Sequence, residues 1–108
     1  MNDNNKPFEL NELINFQDKA IVSSTLLKKK TGTITLFAFA EGQALSEHTA
    51  PFDALVQILD GQMEITIGGD PQVVKAGQGI ILPANIPHAL RAVENAKMLL
   101  TMIKSDNE

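Results

Sequence analysis

Histidine is the residue type in this sequence best suited to chemistry near neutral pH, and the chain has two, His48 and His88. An imidazole can serve as a general base, as a hydrogen-bond partner or as a metal ligand. Cysteine, tyrosine and tryptophan are absent, which excludes disulfides, thiolate ligands and a tyrosine acid. The function therefore depends on where the two histidines lie and on what surrounds them.

Short strands separated by turn residues are the elements that must position these histidines. The stretch MEITI, residues 63–67, alternates strictly between apolar and polar side chains, which predicts a strand with one buried face. Turn pairs precede it at Asp60-Gly61 and follow it at Gly68-Gly69, so we expect a hairpin on both sides. The stretches AIVSSTLLKK and TITLFAFAEG read as further strands. Regular short strands of this kind predict an all-β sandwich or barrel.

Composition limits the classes of function. With 108 residues and 44% hydrophobic residues, the chain is predicted to form one domain. The net charge of −4 argues against nucleic acid, and we interpret Lys28–Lys30 as a solvated strand end. No stretch approaches the roughly 20 apolar residues of a membrane helix, and no secretory signal is visible, so we expect no membrane contact and a cytoplasmic location.

The first nineteen residues are expected to form an N-terminal arm, frayed over residues 1–7. The stretch FELNELINF predicts a short strand followed by one helical turn, the only helical element expected. Its apolar side chains need burial, and an open sheet also leaves edge strands without partners. We therefore expect a homodimer, with the arm or an edge strand at the interface. The apolar side chains in question are Phe8, Leu13, Ile14 and Phe16.

Two stretches carry glycine–histidine patterns at defined spacing. In the first, Gly42 is followed after five residues by His48, and Gly61 closes the pattern. In the second, Gly77 is followed after five residues by Pro83, and PANIPHAL then supplies the second histidine of the chain.

These patterns resemble the two motifs of the cupins, G-x5-H-x-H-x3,4-E-x6-G and G-x5-P-x-G-x2-H-x3-N. Over about residues 20–103 the chain is similar to a small, single-domain, RmlC-like cupin. The resemblance implies a double-stranded β-helix, or jelly-roll barrel, spanning residues 20–108. It also implies that His48 and His88 face each other across the barrel interior.

The metal-ligand set implied by the resemblance is degenerate here. Metal-binding cupins place two histidines two residues apart, a carboxylate a few residues later, and a histidine from the second motif. In this sequence Ala50 takes the second histidine position and Ala54 the carboxylate position, so two ligands of four remain. Asn85 replaces the glycine of the second motif, and Ala92 replaces its asparagine.

A pocket of mixed character is predicted around the remaining histidines. Asp53 is one residue from the carboxylate position and should point to the opposite face of its strand. Met98 and Met102 share a face of the last strand and either line the pocket or fill the core. The predicted pocket consists of His48, Ala50, Ala54, His88, Met98 and Met102.

Our leading hypothesis is a small-molecule-binding cupin with a reduced or absent metal site, in which His48 and His88 are the candidate ligands of a weakly bound divalent first-row metal. The alternative is a metal-dependent cupin enzyme, of the oxygenase or isomerase type, with an incomplete protein ligand set. A structural or regulatory dimer with a closed core is the third possibility. A further interpretation is that the two histidines only form hydrogen bonds with the backbone and bind no ligand. Without tyrosine, an epimerase would need another acid such as Lys97.

Overall fold

Strands make up most of the part of the chain that the computed structural model describes, residues 5–104. They follow a 3-10 helix, Leu10–Glu12, which confirms the expected helical turn. The strand expected before it is wrong, because residues 5–9 contain none. The strands are β1 (Ile21–Lys29), β2 (Gly32–Phe39), β3 (Ala44–His48), β4 (Asp53–Asp60), β5 (Gln62–Ile67), β6 (Asp70–Lys75), β7 (Gly79–Leu82), β8 (His88–Ala92) and β9 (Ala96–Ile103).

Two antiparallel sheets pack face to face. The five-stranded sheet has the order β1-β2-β9-β4-β7, and the four-stranded sheet has the order β3-β8-β5-β6. Strands that are distant in sequence are neighbours in both sheets, as in a jelly roll. This architecture confirms the predicted all-β class. No helix in the described range has the length and hydropathy needed to cross a lipid bilayer.

Apolar side chains from both sheets fill the space between them. The alternation predicted for β5 is confirmed, since Met63 and Ile65 are fully buried while the intervening Glu64 is partly exposed. The largest fully buried side chains of this core include Phe39, Ile58, Met63, Ile65 and Met98. Because apolar positions alternate along each strand, the core fixes which residues point inward at the strand ends.

The turn at Gly68-Gly69 joins β5 to β6 as the expected hairpin, but the hairpin expected at Asp60-Gly61 is wrong. That turn carries the chain from β4 in one sheet to β5 in the other. Gly61 has φ +73°, and a Cβ there would collide with the Asn95 carbonyl, so only glycine fits this corner. Because of this turn, the C-terminal end of β5 and the N-terminal end of β4 lie at the same end of the barrel.

A second apolar cluster covers part of the outer face of the five-stranded sheet. Ile14 is 4% exposed and packs there with Leu36 and Ala38, supported by partly buried Phe16. Leu13, by contrast, stays 42% exposed. The N-terminal segment thus buries part of its apolar surface within its own chain. Residues 1–4, part of the stretch expected to fray, lie outside the described residues.

Lys97 belongs to this outer cluster. Its Nζ donates a hydrogen bond of 2.5 Å to the Asn11 carbonyl and lies 5.1 Å from the centre of the Phe16 ring. The side chain therefore ties the N-terminal segment to β9 on the face away from the core. This position separates it from the two histidines and gives no support to a role as their acid.

Candidate functional site

The two histidines lie side by side at one end of the four-stranded sheet. His48 ends β3, His88 begins β8, and the two are direct partners across the strand pair. Their Nε2 atoms are 3.1 Å apart, and the rings meet edge to face with centroids 4.4 Å apart and planes at 72°. The resemblance implied that they face each other across the interior. The structure instead makes them neighbours on one wall.

A β-bulge in β3 directs His48 to this position. Leu45 pairs with Leu90 and His48 pairs with His88, so two residues of β3 oppose one residue of β8 between these pairs. In a regular strand, residues three apart point to opposite faces. The extra residue reverses that relation and places His48 on the same face as Leu45.

The surroundings of the two rings differ. His48 is exposed, and its Nδ1 lies 2.8 Å from the Ser46 carbonyl oxygen. His88 is only 7% exposed, and its buried Nδ1 has no hydrogen-bond partner. Burial lowers the pKa of His88 below its ordinary value, the charge on His48 lowers it further, and the Ile86 backbone acts in the opposite direction. The buried ring of His88 therefore stays neutral at a lower pH than a free histidine does.

Two loops meet at this end of the barrel and hold the pair in place. The Asn85 N–H donates to the Ala50 carbonyl at 2.8 Å, which joins the loop after β3 to the loop before β8. Asn85 has φ +66°, a left-handed conformation that asparagine tolerates better than most residues. This explains how asparagine replaces the motif glycine. The Asp53 Oδ1 accepts the Ala84 N–H at 2.8 Å, so its carboxylate braces the same loop.

Other residues of the predicted pocket lie on or next to the five-stranded sheet. Ala54 is buried on the inner face of β4, and its strand partners are Met102 on β9 and Leu82 on β7. Ala50 lies in the connection between β3 and β4 and is half-buried. Connectivity brings these residues to the same barrel end as the histidines. Neither alanine carries a side-chain atom that can ligate an ion or form a hydrogen bond.

The two methionines occupy different depths. Met98 is fully buried in the central core and is paired with Ile58. Met102 is half-buried at the end of β9 and borders a groove of about 320 Å³. The groove is lined by Leu27, Lys29, Thr31, Gly32, Thr33, Ile34, Thr101, Met102, Ile103 and Lys104. Neither histidine lines this groove, so Met102 is the methionine nearer the strand end, and Met98 packs in the core.

The residues present do not fit a complete metal site. Within residues 5–104 no group of three or more histidine or carboxylate side chains is arranged to hold an ion. Protein zinc sites use three or four protein donors, and each ligating imidazole normally donates its other N–H to a partner. His48 meets the second condition through Ser46, but His88 Nδ1 has no partner. Asp53 starts β4 on its outer face and is engaged by the loop.

Sequence reasoning missed two parts of this site. The Ser46 carbonyl and the bulge are backbone features, and no residue type in ALSEH announces them. The role of Asn85 had a signal, because the motif requires glycine at that position and asparagine is the next residue type to adopt positive φ.

Comparison with known proteins identifies the family. The family model described as "Cupin domain" matches residues 35–104. "Polyketide synthase CurC" of Streptomyces cyaneus is 25% identical over 84 residues, covering 75% of this chain and 54% of that protein. "Protein SchB" of Streptomyces halstedii is 24% identical over 74 residues, covering 68% and 54%. The chain spans about half the length of these curated relatives.

Solved structures agree with the sequence match. A conserved Streptococcus pyogenes protein of unknown function is 38% identical with a TM-score of 0.92, covering 96% of this chain and 91% of that one. A cupin 2 conserved barrel domain protein from Leptotrichia buccalis is 44% identical with a TM-score of 0.87, covering 90% and 47%. A cupin superfamily protein from Desulfitobacterium hafniense is 27% identical with a TM-score of 0.90, covering 95% and 94%. With the motif glycines, the jelly-roll sheets and these matches in agreement, the chain belongs to the cupin domain family.

Proposed function

We propose that this chain is a small-molecule-binding cupin whose pocket is built around His48 and His88 and which works without a complete protein-ligated metal. The observation that carries the proposal is the inner histidine. His88 is 7% exposed and keeps a buried nitrogen without a hydrogen-bond partner. An unsatisfied buried polar atom destabilises a fold by about 1–3 kcal/mol. Such groups are rare in native proteins and concentrate where function requires them.

The composition of the proposed pocket supports an organic ligand. Two imidazoles lie on one wall, and Ala54, Leu82 and Met102 lie on the other. Small-molecule sites combine mostly apolar walls with a few polar groups that orient the ligand. One curated relative is named a polyketide synthase, which is in keeping with an organic ligand. The proposal also includes Ala50, at the rim, and Met98, whose buried side chain would lie in the core beneath the pocket.

Methionine methyl NMR tests this function. Protein labelled with 13C at the methionine methyl groups is titrated with a library of small organic fragments. We expect binders to shift Met102 much more than Met63, which is fully buried in β5 away from this barrel end. The shifts should disappear in His48→Ala. They should persist in Arg91→Ala, a matched change at an exposed position of β8.

The outcome separates the proposal from its rivals. A library that shifts no methyl resonance at this barrel end contradicts the proposed pocket and favours a closed, structural cupin. Binding that requires added divalent metal favours the metal-dependent enzyme, with water or substrate completing the coordination shell.

We further propose that the chain forms a homodimer through the outer face of the five-stranded sheet. Leu27, Ile81 and Ile103 are 51%, 55% and 64% exposed there, on the two edge strands and on β9. Exposed apolar patches of this kind mark interaction surfaces. The N-terminal arm, residues 1–19, borders this face through Ile14 and is proposed to extend the contact. Light scattering at tens of micromolar should give a dimer mass, and Leu27→Glu should give a monomer.

The matched control for the dimer is Val93→Glu, since Val93 is an exposed apolar residue in the connection between β8 and β9. It should leave the dimer intact. A monomer mass for the unmodified protein would contradict the proposed interface.

A further inference from the structure

The donor and acceptor roles in the histidine pair are fixed by the backbone. A carbonyl oxygen only accepts hydrogen bonds, so the 2.8 Å contact to Ser46 requires a proton on His48 Nδ1. A neutral imidazole carries one N–H, and His48 Nε2 is therefore a lone-pair acceptor. The tautomer of His48 is set before any ligand arrives.

The second histidine must then be the opposite tautomer. His48 Nε2 can only accept, so the 3.1 Å contact between the Nε2 atoms requires His88 Nε2 to carry the proton. This leaves a lone pair on His88 Nδ1, an atom that is buried and meets neither a donor nor an acceptor at hydrogen-bond geometry, the Ile86 backbone included. The barrel end therefore presents one acceptor and one donor about 3 Å apart.

We propose that this pair recognises a hydroxyl group, phenolic or enolic, on an apolar organic molecule. The inference rests on the proposed function and specifies the ligand class of the same pocket. The hydroxyl replaces the hydrogen bond between the two rings: it donates its proton to His48 Nε2 and accepts from His88 Nε2–H, so one hydrogen bond is lost and two are formed. One oxygen can pair with both Nε2 atoms, because a hydroxyl is at once a donor and an acceptor, while His88 Nδ1 keeps its lone pair.

Other head groups match this arrangement less well. A carboxylate can only accept hydrogen bonds, so it cannot pair with His48 Nε2, which is also an acceptor. It would bind both rings only if one histidine took up an additional proton. An ether or ketone can accept from His88 but leaves His48 without a donor. The apolar body of the ligand follows from the opposite wall, where Ala54, Leu82 and Met102 offer no polar side-chain group.

Three probes with one aromatic body test the inference: 2-naphthol, 2-methoxynaphthalene and 2-naphthoate. Binding of each is measured by calorimetry at about pH 8, where ordinary histidines are neutral. We expect 2-naphthol to bind about tenfold more tightly than its methyl ether, the effect of one net hydrogen bond, and naphthoate to bind most weakly. Equal binding of naphthol and ether, or tightest binding of naphthoate, overturns the hydroxyl inference and leaves the proposed pocket standing. Failure of all three to bind contradicts the pocket and the inference together.

A variant and a spectroscopic measurement make the test independent of ligand choice. In His48→Phe the preference for naphthol over its ether should fall to about onefold, while Arg91→Ala should retain the full preference. In unmodified protein labelled with 15N-histidine, NMR should show His48 protonated at Nδ1 and His88 protonated at Nε2. The reverse tautomer on either ring overturns the proposal, even if the His48→Phe variant fails to fold.

Discussion

Replacing His88 by leucine should stabilise the protein. The two side chains have similar volume, and position 88 is buried on the inner face of β8. The change removes the unpaired Nδ1, whose burial costs about 1–3 kcal/mol. It also removes the hydrogen bond to His48, which contributes about 0.5–1.5 kcal/mol. His48 is exposed, so water replaces its lost partner, and we expect a net stabilisation of about 1 kcal/mol.

Urea unfolding followed by circular dichroism at fixed protein concentration measures this difference, since the chain has no tryptophan for fluorescence. In a domain of this size, about 1 kcal/mol corresponds to a rise in Tm of about 4 °C or more. The measurement is made at about pH 8, where a histidine at position 88 is uncharged in both the folded and the unfolded protein. The control is Leu90→Ala, two residues along the same buried face, which should destabilise by about 2–5 kcal/mol. If His88→Leu is destabilising while the control behaves as expected, the histidine is a structural residue and the reasoning is refuted.

Three further predictions concern acid stability, the N-terminal segment and the missing ligands. The folded protein lowers the pKa of His88 below its ordinary value of 6.5, so the unfolded chain takes up the proton first as the pH falls. Urea midpoints should therefore show the unmodified protein losing stability relative to His88→Leu below about pH 6.5. A difference in midpoint between the two proteins that does not change with pH would contradict the lowered pKa. Ile14→Ala should cost about 2–5 kcal/mol, whereas Leu13→Ala should cost under about 1 kcal/mol, and equal losses in thermal unfolding would contradict the packing of Ile14 on the sheet. The double variant Ala50→His/Ala54→Glu restores two ligands and should raise the affinity for zinc by more than about 100-fold, the upper end of what a hydrogen-bond partner of a ligand contributes. Calorimetry that shows no gain in zinc affinity would mean that these two positions do not face the histidines.

The fold could be predicted from the sequence wherever a local pattern of residues determines which face of a strand is buried. The alternation in β5 identified a strand and its inner side, and Gly68-Gly69 identified a hairpin. The Asp60-Gly61 pair has equally good turn chemistry, but turn residues do not specify whether the next strand returns to the same sheet. That choice is made by packing between the sheets, through the close approach of Gly61 to Asn95.

For the candidate site, the sequence suggested residues but not their geometry. The motif spacing selected His48 and His88, and strand periodicity correctly turned Asp53 away from the inner face. Their arrangement as neighbours depends on the bulge between Leu45 and His48, which no local residue type signals. The hydrogen-bond roles depend on the carbonyl of Ser46, which is independent of its side chain. Backbone geometry therefore sets the arrangement of the two rings, which the residue types left open.

Metal content tests most directly whether the two histidines form a hydrogen-bonding pair or the remnant of a working metal centre. Untagged protein, His48→Ala and His88→Ala are incubated with first-row divalent ions, desalted and subjected to elemental analysis. If they form a hydrogen-bonding pair, we expect well under one equivalent of metal per chain in the unmodified protein, with no systematic loss in the variants. Near-stoichiometric metal that disappears in both variants would contradict it.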